Sequence, residues 1–414
     1  MSADCRRRDT CRLCGGGSLQ RVLSLTPTPP ANAFVAADAL DAAQPSFPLD
    51  VHFCDGCGHV QLLDVVDPRL LFEDYVYVSG TSPAFVRHFE DYADAVIQRL
   101  DPGPGSLVVD IGSNDGTLLA AFKAREMRVL GVDPARAIAE RATAGGIETK
   151  AEFFTPELAA GIRDRLGAAQ VVTANNVFAH ADDLSGLVEG VCGLLAADGV
   201  FVFEVSYLLD VVAKTLFDTI YHEHLAYHAV KPLVGFFEAH GMELFAAERV
   251  ATHGGSLRGM VQARGGPREA DGSVEAFVRL EEAAGLDEAR TFVDFADRID
   301  RLGAELRELT VSIRAKGKSI AGFGAPAKAT TLMHHFRLGP ETIDFIVDDS
   351  PLKQGLYTPG THIPVLPPDA LYQRRPDCVI VLAWNFAQPI MEKHSAFREG
   401  GGRFIVPLPE LRTH

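Results

Sequence analysis

Short runs of apolar, β-branched residues recur through the middle of the chain, separated by longer stretches with helical spacing. Ser106–Ile111, Val129–Pro134, Gln170–Ala174 and Gly199–Glu204 read as buried strands of a parallel sheet, too short to be helices. The segment T-L-L-A-A-F (Thr117–Phe122) and the stretch Leu208–Asp218 read as helices. A polar, glycine-containing break at Ala263–Gly272 marks a linker. Beyond it, Phe292, Phe295, Ile299, Leu302, Leu306, Leu309 and Ile313 recur at three- and four-residue steps, which predicts one apolar face of a long helix serving as core or as an inter-domain strut. A second strand–turn–helix follows at Lys318–Thr330, with further strand-like runs at 344–347 and 378–382. Alternating strands and helices imply an α/β protein with two Rossmann-like units. The predicted boundaries are 1–75, 76–265 and 266–414.

Composition narrows the class. A chain of 414 residues exceeds one ordinary core, so two or three domains are expected. A hydrophobic content of 47% with 23% charged residues describes a globular chain. The net charge of −16 disfavours a nucleic-acid partner, which requires a basic stripe. No apolar run is long enough to span a bilayer and no signal segment opens the chain, so a cytoplasmic monomer is the expectation.

Cysteine spacing adds a metal site. Cys11 and Cys14 form one CxxC and Cys54 and Cys57 another, each beside a glycine-containing turn. Four thiolates complete a tetrahedral Zn²⁺ sphere, which marks a structural ion, since a catalytic zinc keeps an open position. Two unrelated reduced pairs or a redox motif are the alternative, and the paired spacing favours zinc. The Pro-rich Pro27–Val35 between the pairs must be loop. After the second pair, Tyr75 and Tyr77 precede a Ser/Gly/Thr turn, as surface aromatics or as a short lid.

The first strand runs into D-I-G-S-N-D-G (Asp110–Gly116). Gly112 and Gly116 permit close backbone approach to a ligand, with Asn114 between them and Asp110 at the strand end. Asp133, 23 residues after Asp110, is placed to accept hydrogen bonds from ribose hydroxyls. The D-x-G-x-x-x-G spacing is similar to that of S-adenosylmethionine (SAM)-dependent methyltransferases; a glycine-rich turn in another Rossmann unit is the competing reading. In such folds A-E-F-F, with Phe153, touches the adenine edge. Asn175, Asn176 and His180 follow the fourth strand at its carboxyl end, where ligands bind. His180 could equally cap a helix or sit satisfied in the core.

Y-H-E-H (Tyr221–His224) concentrates two imidazoles, a carboxylate and a phenol. Forming a carbanion beside a carbonyl requires a base that titrates near neutrality, a donor for the developing oxyanion and a group that fixes the imidazole tautomer. Tyr221, Glu223 and His224 supply those types. A metal site from His222, His224 and His228, or a turn of satisfied histidines, competes with this reading. In the C-terminal unit, Lys328 opens a helix after Gly322 and Gly324, an arrangement suited to a pyrophosphate. His253, Ser256 and Arg258 of T-H-G-G-S-L-R could close the same cleft.

Taken together, the paired CxxC motifs, D-I-G-S-N-D-G, N-N-V-F-A-H, Y-H-E-H, T-H-G-G-S-L-R, G-F-G-A-P-A-K and A-W-N make the chain resemble the sugar C-methyltransferases of deoxysugar biosynthesis in antibiotic-producing actinobacteria, over essentially its full length. The resemblance implies a class I SAM-binding domain, a structural zinc and a dTDP-linked keto-deoxysugar methylated at C3 or C5. It implies His224 as the base, with Tyr221, Glu223, His180 and Tyr75 around the sugar. A SAM-dependent O- or N-methyltransferase and a zinc-ribbon nucleic-acid-binding protein are the alternative readings.

Overall fold

A computed structural model describes residues 4–73, 80 and 83–414, with the side chains of Pro83, Ala84 and His253 outside the description. The predicted strands Ser106–Ile111, Val129–Pro134, Gln170–Ala174 and Gly199–Glu204 all lie in one seven-stranded sheet. Its order is Met242–Val250, Ser256–Ala263, Leu195–Ser206, Ala169–Asn175, Leu107–Ile111, Arg128–Val132 and Thr149–Lys150. The last five run parallel, and Ser256–Ala263 is antiparallel to both neighbours. Leu107–Ile111 is buried at every position, as a strand covered by helices on both faces must be. The chain order reverses between Leu107–Ile111 and Ala169–Asn175, so their carboxyl ends open the crevice where ligands of such sheets bind.

The C-terminal region builds a second sheet of six strands: Val365–Leu366, Ile346–Val347, Ile320–Phe323, Cys378–Val381, Arg403–Val406 and Arg412–Thr413. All pairings are parallel except the last. The order again reverses beside the strand that comes first in the chain, between Ile320–Phe323 and Cys378–Val381.

A third, antiparallel sheet carries the cysteine region: Leu19–Thr28, Phe47–Cys54, Val60–Leu62 and, from far along the chain, Ala226–Tyr227. That last strand follows Y-H-E-H directly, so the loop is anchored into the N-terminal sheet. The long helix Ala289–Ala315 buries Phe292, Phe295, Ile299 and Leu306. The rings of Phe292 and Phe53 lie 5.6 Å apart, so the helix is a strut against the N-terminal sheet. Each such buried ring contributes about 1.5–3 kcal/mol.

One predicted element breaks. The helix expected over Leu208–Asp218 stops at Ala213, Thr215 takes φ +53°, and a single 3₁₀ turn covers Phe217–Thr219. Phe217 and Asp218 are fully buried in that turn. Among the described residues, no helix is long and apolar enough to cross a membrane.

Candidate active site and zinc site

The four predicted thiolates converge. The Sγ atoms of Cys11, Cys14, Cys54 and Cys57 all lie within 4.8 Å of one another, with Cys11–Cys57 at 3.7 Å and Cys14–Cys54 at 3.6 Å. A tetrahedron of Zn–S bonds of about 2.3 Å has edges of about 3.8 Å, so the set fits zinc and leaves no position open for catalysis. Among the described residues it is the one cluster with metal-ligand spacing. His222 and His228 are buried instead against the carbonyls of Phe47 and Phe178. Burial holds both well down, at about 4, so they are neutral packing residues.

A cavity of about 1240 Å³ opens at the switch point of the seven-stranded sheet. That exceeds the usual space for one small ligand, roughly 300–1,000 Å³, and leaves room for a second. Asp110, Gly112, Asn114, Asp133, Phe153, Asn175, Asn176, His180, Tyr221, His224 and Lys328 all line it. Gly112 has φ +69°, and a Cβ there would sit 2.2 Å from the Val177 side chain, so only glycine serves. Gly116 does not line the cavity; with φ +80° it is the N-cap of the helix Thr117–Lys123.

The Asp133 carboxylate accepts from the backbone N–H of Asn114 at 2.8 Å and of Ala135 at 2.9 Å, which fixes the turn while each oxygen keeps acceptor capacity. Asp110 accepts from the Thr173 hydroxyl at 2.6 Å. Burial raises Asp110 to about 7, with Thr173 opposing and Asp133 adding to the shift. Two buried carboxylates and the half-exposed Phe153 ring suit a ligand that brings a positive charge, ribose hydroxyls and an aromatic base. SAM is such a ligand.

The wall of the cavity that carries His224 is built by the break after Ala213. The 3₁₀ turn directs the Thr219 carbonyl to His224 Nδ1, 2.7 Å away. A carbonyl only accepts, so Nδ1 carries the proton and Nε2 is the basic nitrogen. The Tyr221 ring lies 4.2 Å from that imidazole, and the His180 ring stacks on it at 5.0 Å. Burial and the adjacent His224 drive His180 well below its ordinary range, so it is neutral, and it stacks on Phe72 at 5.6 Å. The tautomer of His224 is thus set by a backbone carbonyl and not by Glu223. Glu223 is buried outside the cavity lining and accepts from the Asn32 amide at 2.8 Å.

Two further expectations are corrected. Arg258 does not close the cleft: its guanidinium is buried against Glu204 at 2.9 Å and over the Tyr92 ring at 4.3 Å. Ser256 is buried and bonds Thr252. Strand pairing of Ser256–Ala263 turns both inward. Tyr75 and the His253 side chain lie outside the described residues.

Residues without a motif complete the wall. Glu204 accepts from His88 at 2.9 Å and from Thr252 at 2.8 Å, and both partners line the cavity. Burial works to raise Glu204, but the His88 hydrogen bond and Arg258 outweigh it and hold it at about 2. From the C-terminal sheet come Lys328, Lys353 and Asn385. Lys328 donates to Asn385 and lies 4.0 Å over the Trp384 ring, whose N–H donates to Asp218 at 2.6 Å. Burial lowers Lys328 to about 8 despite Asp218.

Residues 11–72 match a zinc binding domain, 85–247 a methyltransferase domain and 251–409 a C-methyltransferase C-terminal domain. The C-methyltransferase NovU of Streptomyces niveus is 38% identical over 98% of this chain and 96% of its own length. Among solved structures, magnesium protoporphyrin IX methyltransferase from Synechocystis PCC 6803 with bound SAM is 17% identical, covering 43% of this chain and 80% of that one with a TM-score of 0.32. The PH0226 protein from Pyrococcus horikoshii OT3 is 12% identical, covering 45% and 94% with a TM-score of 0.36. A closed four-thiolate site, a carboxylate-lined switch point and this full-length relative together mean that the chain belongs to the SAM-dependent C-methyltransferase family with an N-terminal structural zinc.

Proposed function

We propose that the acceptor is a dTDP-linked keto-deoxysugar, methylated at the carbon beside its ketone, C3 or C5, and that His224 removes the proton. The observation that carries this reading is the 2.7 Å contact from His224 Nδ1 to the Thr219 carbonyl, which leaves Nε2 basic in the cavity that also holds the donor residues. Bound SAM supplies an electrophilic methyl group. The acceptor must supply a carbon nucleophile, and a ketone α-carbon becomes one when a base withdraws its proton. His224 Nε2 takes that proton, and the Thr219 carbonyl stabilises the resulting imidazolium. The Tyr221 phenol, on a ring 4.2 Å from that of the base, suits the enolate oxygen. Neutral His180 and the buried wall keep bulk water from quenching the enolate.

Lys328 and Lys353 supply the positive charge for the diphosphate, and Asn385 orients Lys328. Such a role explains why a lysine tolerates burial here: a bound dianion restores the charge that burial opposes.

The test is solvent-deuterium exchange into dTDP-4-keto-deoxysugars without donor, followed by transfer of labelled methyl from SAM. Exchange at the ketone α-carbon that vanishes in His224→Ala, with a C-methylated product in the wild type, is the expected result. Methylation at oxygen or nitrogen without any exchange would reject the enolate reading.

A further inference from the structure

The zinc module reaches the reacting centre through one buried arginine. Arg12 lies between the ligands Cys11 and Cys14, so the loop that closes round the ion fixes its backbone on both sides. Its side chain has no solvent exposure. Arg12 Nε donates to Asp182 Oδ1 at 3.1 Å, and Nη1 donates to Gln61 Oε1 at 3.0 Å and to the Leu62 carbonyl. Asp182 follows His180 by two residues and also takes Arg6 and Arg8.

The other branch leads to His224. The Leu62 N–H donates to the carbonyl of Leu225, the residue after His224, at 2.9 Å. The two branches then meet: the N–H groups of Leu225 and Ala226 both donate to the carbonyl of Ala179, the residue before His180, at 2.9 and 3.1 Å. One guanidinium therefore holds both segments that carry the stacked imidazoles, His180 and His224, 5.0 Å apart. His180 Nε2 is buried with no hydrogen-bond partner among the described residues, so that nitrogen does not fix the ring, whose place is set by its backbone and by its stacking on Phe72.

We propose that Arg12 is a positioning residue: through Asp182 and Leu62 it sets His180 against His224, so that metal loading of the cysteine site governs the geometry of the reacting centre as well as the fold of its own module. The proposal rests on the reading of His224 as base for its kinetic consequence, though not for its geometric one.

The experiment compares wild type, Arg12→Gln, Arg12→Lys and Asp182→Asn as full-length enzyme with ¹⁵N-labelled histidine, saturated with S-adenosylhomocysteine. Both Arg12→Gln and Asp182→Asn should retain zinc while the His180 and His224 imidazole signals move. The variants should lose about 10- to 100-fold in kcat on the keto-sugar with KM changed less than about threefold, and Arg12→Lys should recover part of the loss. Chelating zinc from the wild type should move the same two signals. Zinc-loaded variants whose two signals overlay on wild type would overturn the proposal, as would chelation that leaves them in place. Should Arg12→Gln fail to fold, Asp182→Asn, outside the cysteine loop, carries the decision. Signals that respond in an enzyme inactive on every keto-sugar would uphold the positioning role and reject the acceptor assignment instead.

Discussion

The two Rossmann-like sheets present the same strand–turn–helix to one cavity with opposite charge. In the first, the turn Gly112–Gly116 stands beside Asp110 and Asp133, carboxylates held in low-polarity surroundings. In the second, the turn Gly324–Pro326 leads to Lys328, and the fold itself occupies part of the cradle: Asp348 accepts from the Ala325 N–H at 2.6 Å and Lys353 donates to the Ala325 carbonyl at 2.7 Å. The backbone fold is therefore neutral about the ligand. The side chains set round each cradle differ, carboxylates in the first and Lys328 and Lys353 in the second. On the function proposed above, the first takes a cation bearing ribose and the second an anion.

The sharpest way to break the contrast is to remove the group lying between the halves. His224→Ala should lower kcat by about two to four orders of magnitude while donor affinity is kept, measured by methyl transfer and by calorimetry with S-adenosylhomocysteine. Next in size, Asp133→Ala should weaken that donor product by about 10- to 100-fold, because a carboxylate hydrogen bond of about 1.5–3 kcal/mol is lost. Lys328→Met should leave donor affinity unchanged and raise the acceptor KM by a similar factor of about 10 to 100. A result with both affinities lowered in either variant would mean that the halves do not bind separately.

Titration should sharpen the contrast more gently. Asp110, raised to about 7, is anionic only above that value, so preference for cationic SAM over neutral S-adenosylhomocysteine should fall as pH drops through about 7. Lys328, lowered to about 8, is cationic only below that value, so acceptor KM should rise as pH climbs through about 8. The smallest effect is optical. Trp384 is the chain's single tryptophan and stacks under Lys328, so dTDP should change its emission in wild type and change it far less in Lys328→Met.

Much of this site was legible in the sequence because its residues sit in motifs of fixed spacing. Each CxxC pair and D-x-G-x-x-x-G declare their chemistry within one turn of chain, and Asp133 follows at the interval set by the next strand. Their partners in space, Thr173 for Asp110 and the second CxxC for the first, are nonetheless far away in the chain. The bonds made by Glu223 and Arg258 have no such local signature. Their partners, Asn32 and Glu204, are 191 and 54 residues away, and only tertiary packing reveals that those bonds turn the side chains aside. Thr219 escaped notice because a carbonyl carries no side-chain signature, and His88, Lys353 and Asp182 because each is a single polar residue without a motif. The helix break after Ala213 was hidden too, since burial of Phe217 and Asp218 overrides local propensity there.

The strand Ala226–Tyr227 has a consequence for biosynthesis. Its pairing partner, Val60–Leu62, leaves the ribosome more than a hundred and sixty residues earlier, so the N-terminal sheet stays one strand short until the whole parallel core has been translated. A severed N-terminal fragment would keep its cysteines yet expose an unpaired edge, which makes it a poor candidate for expression alone and a ready target for chaperones.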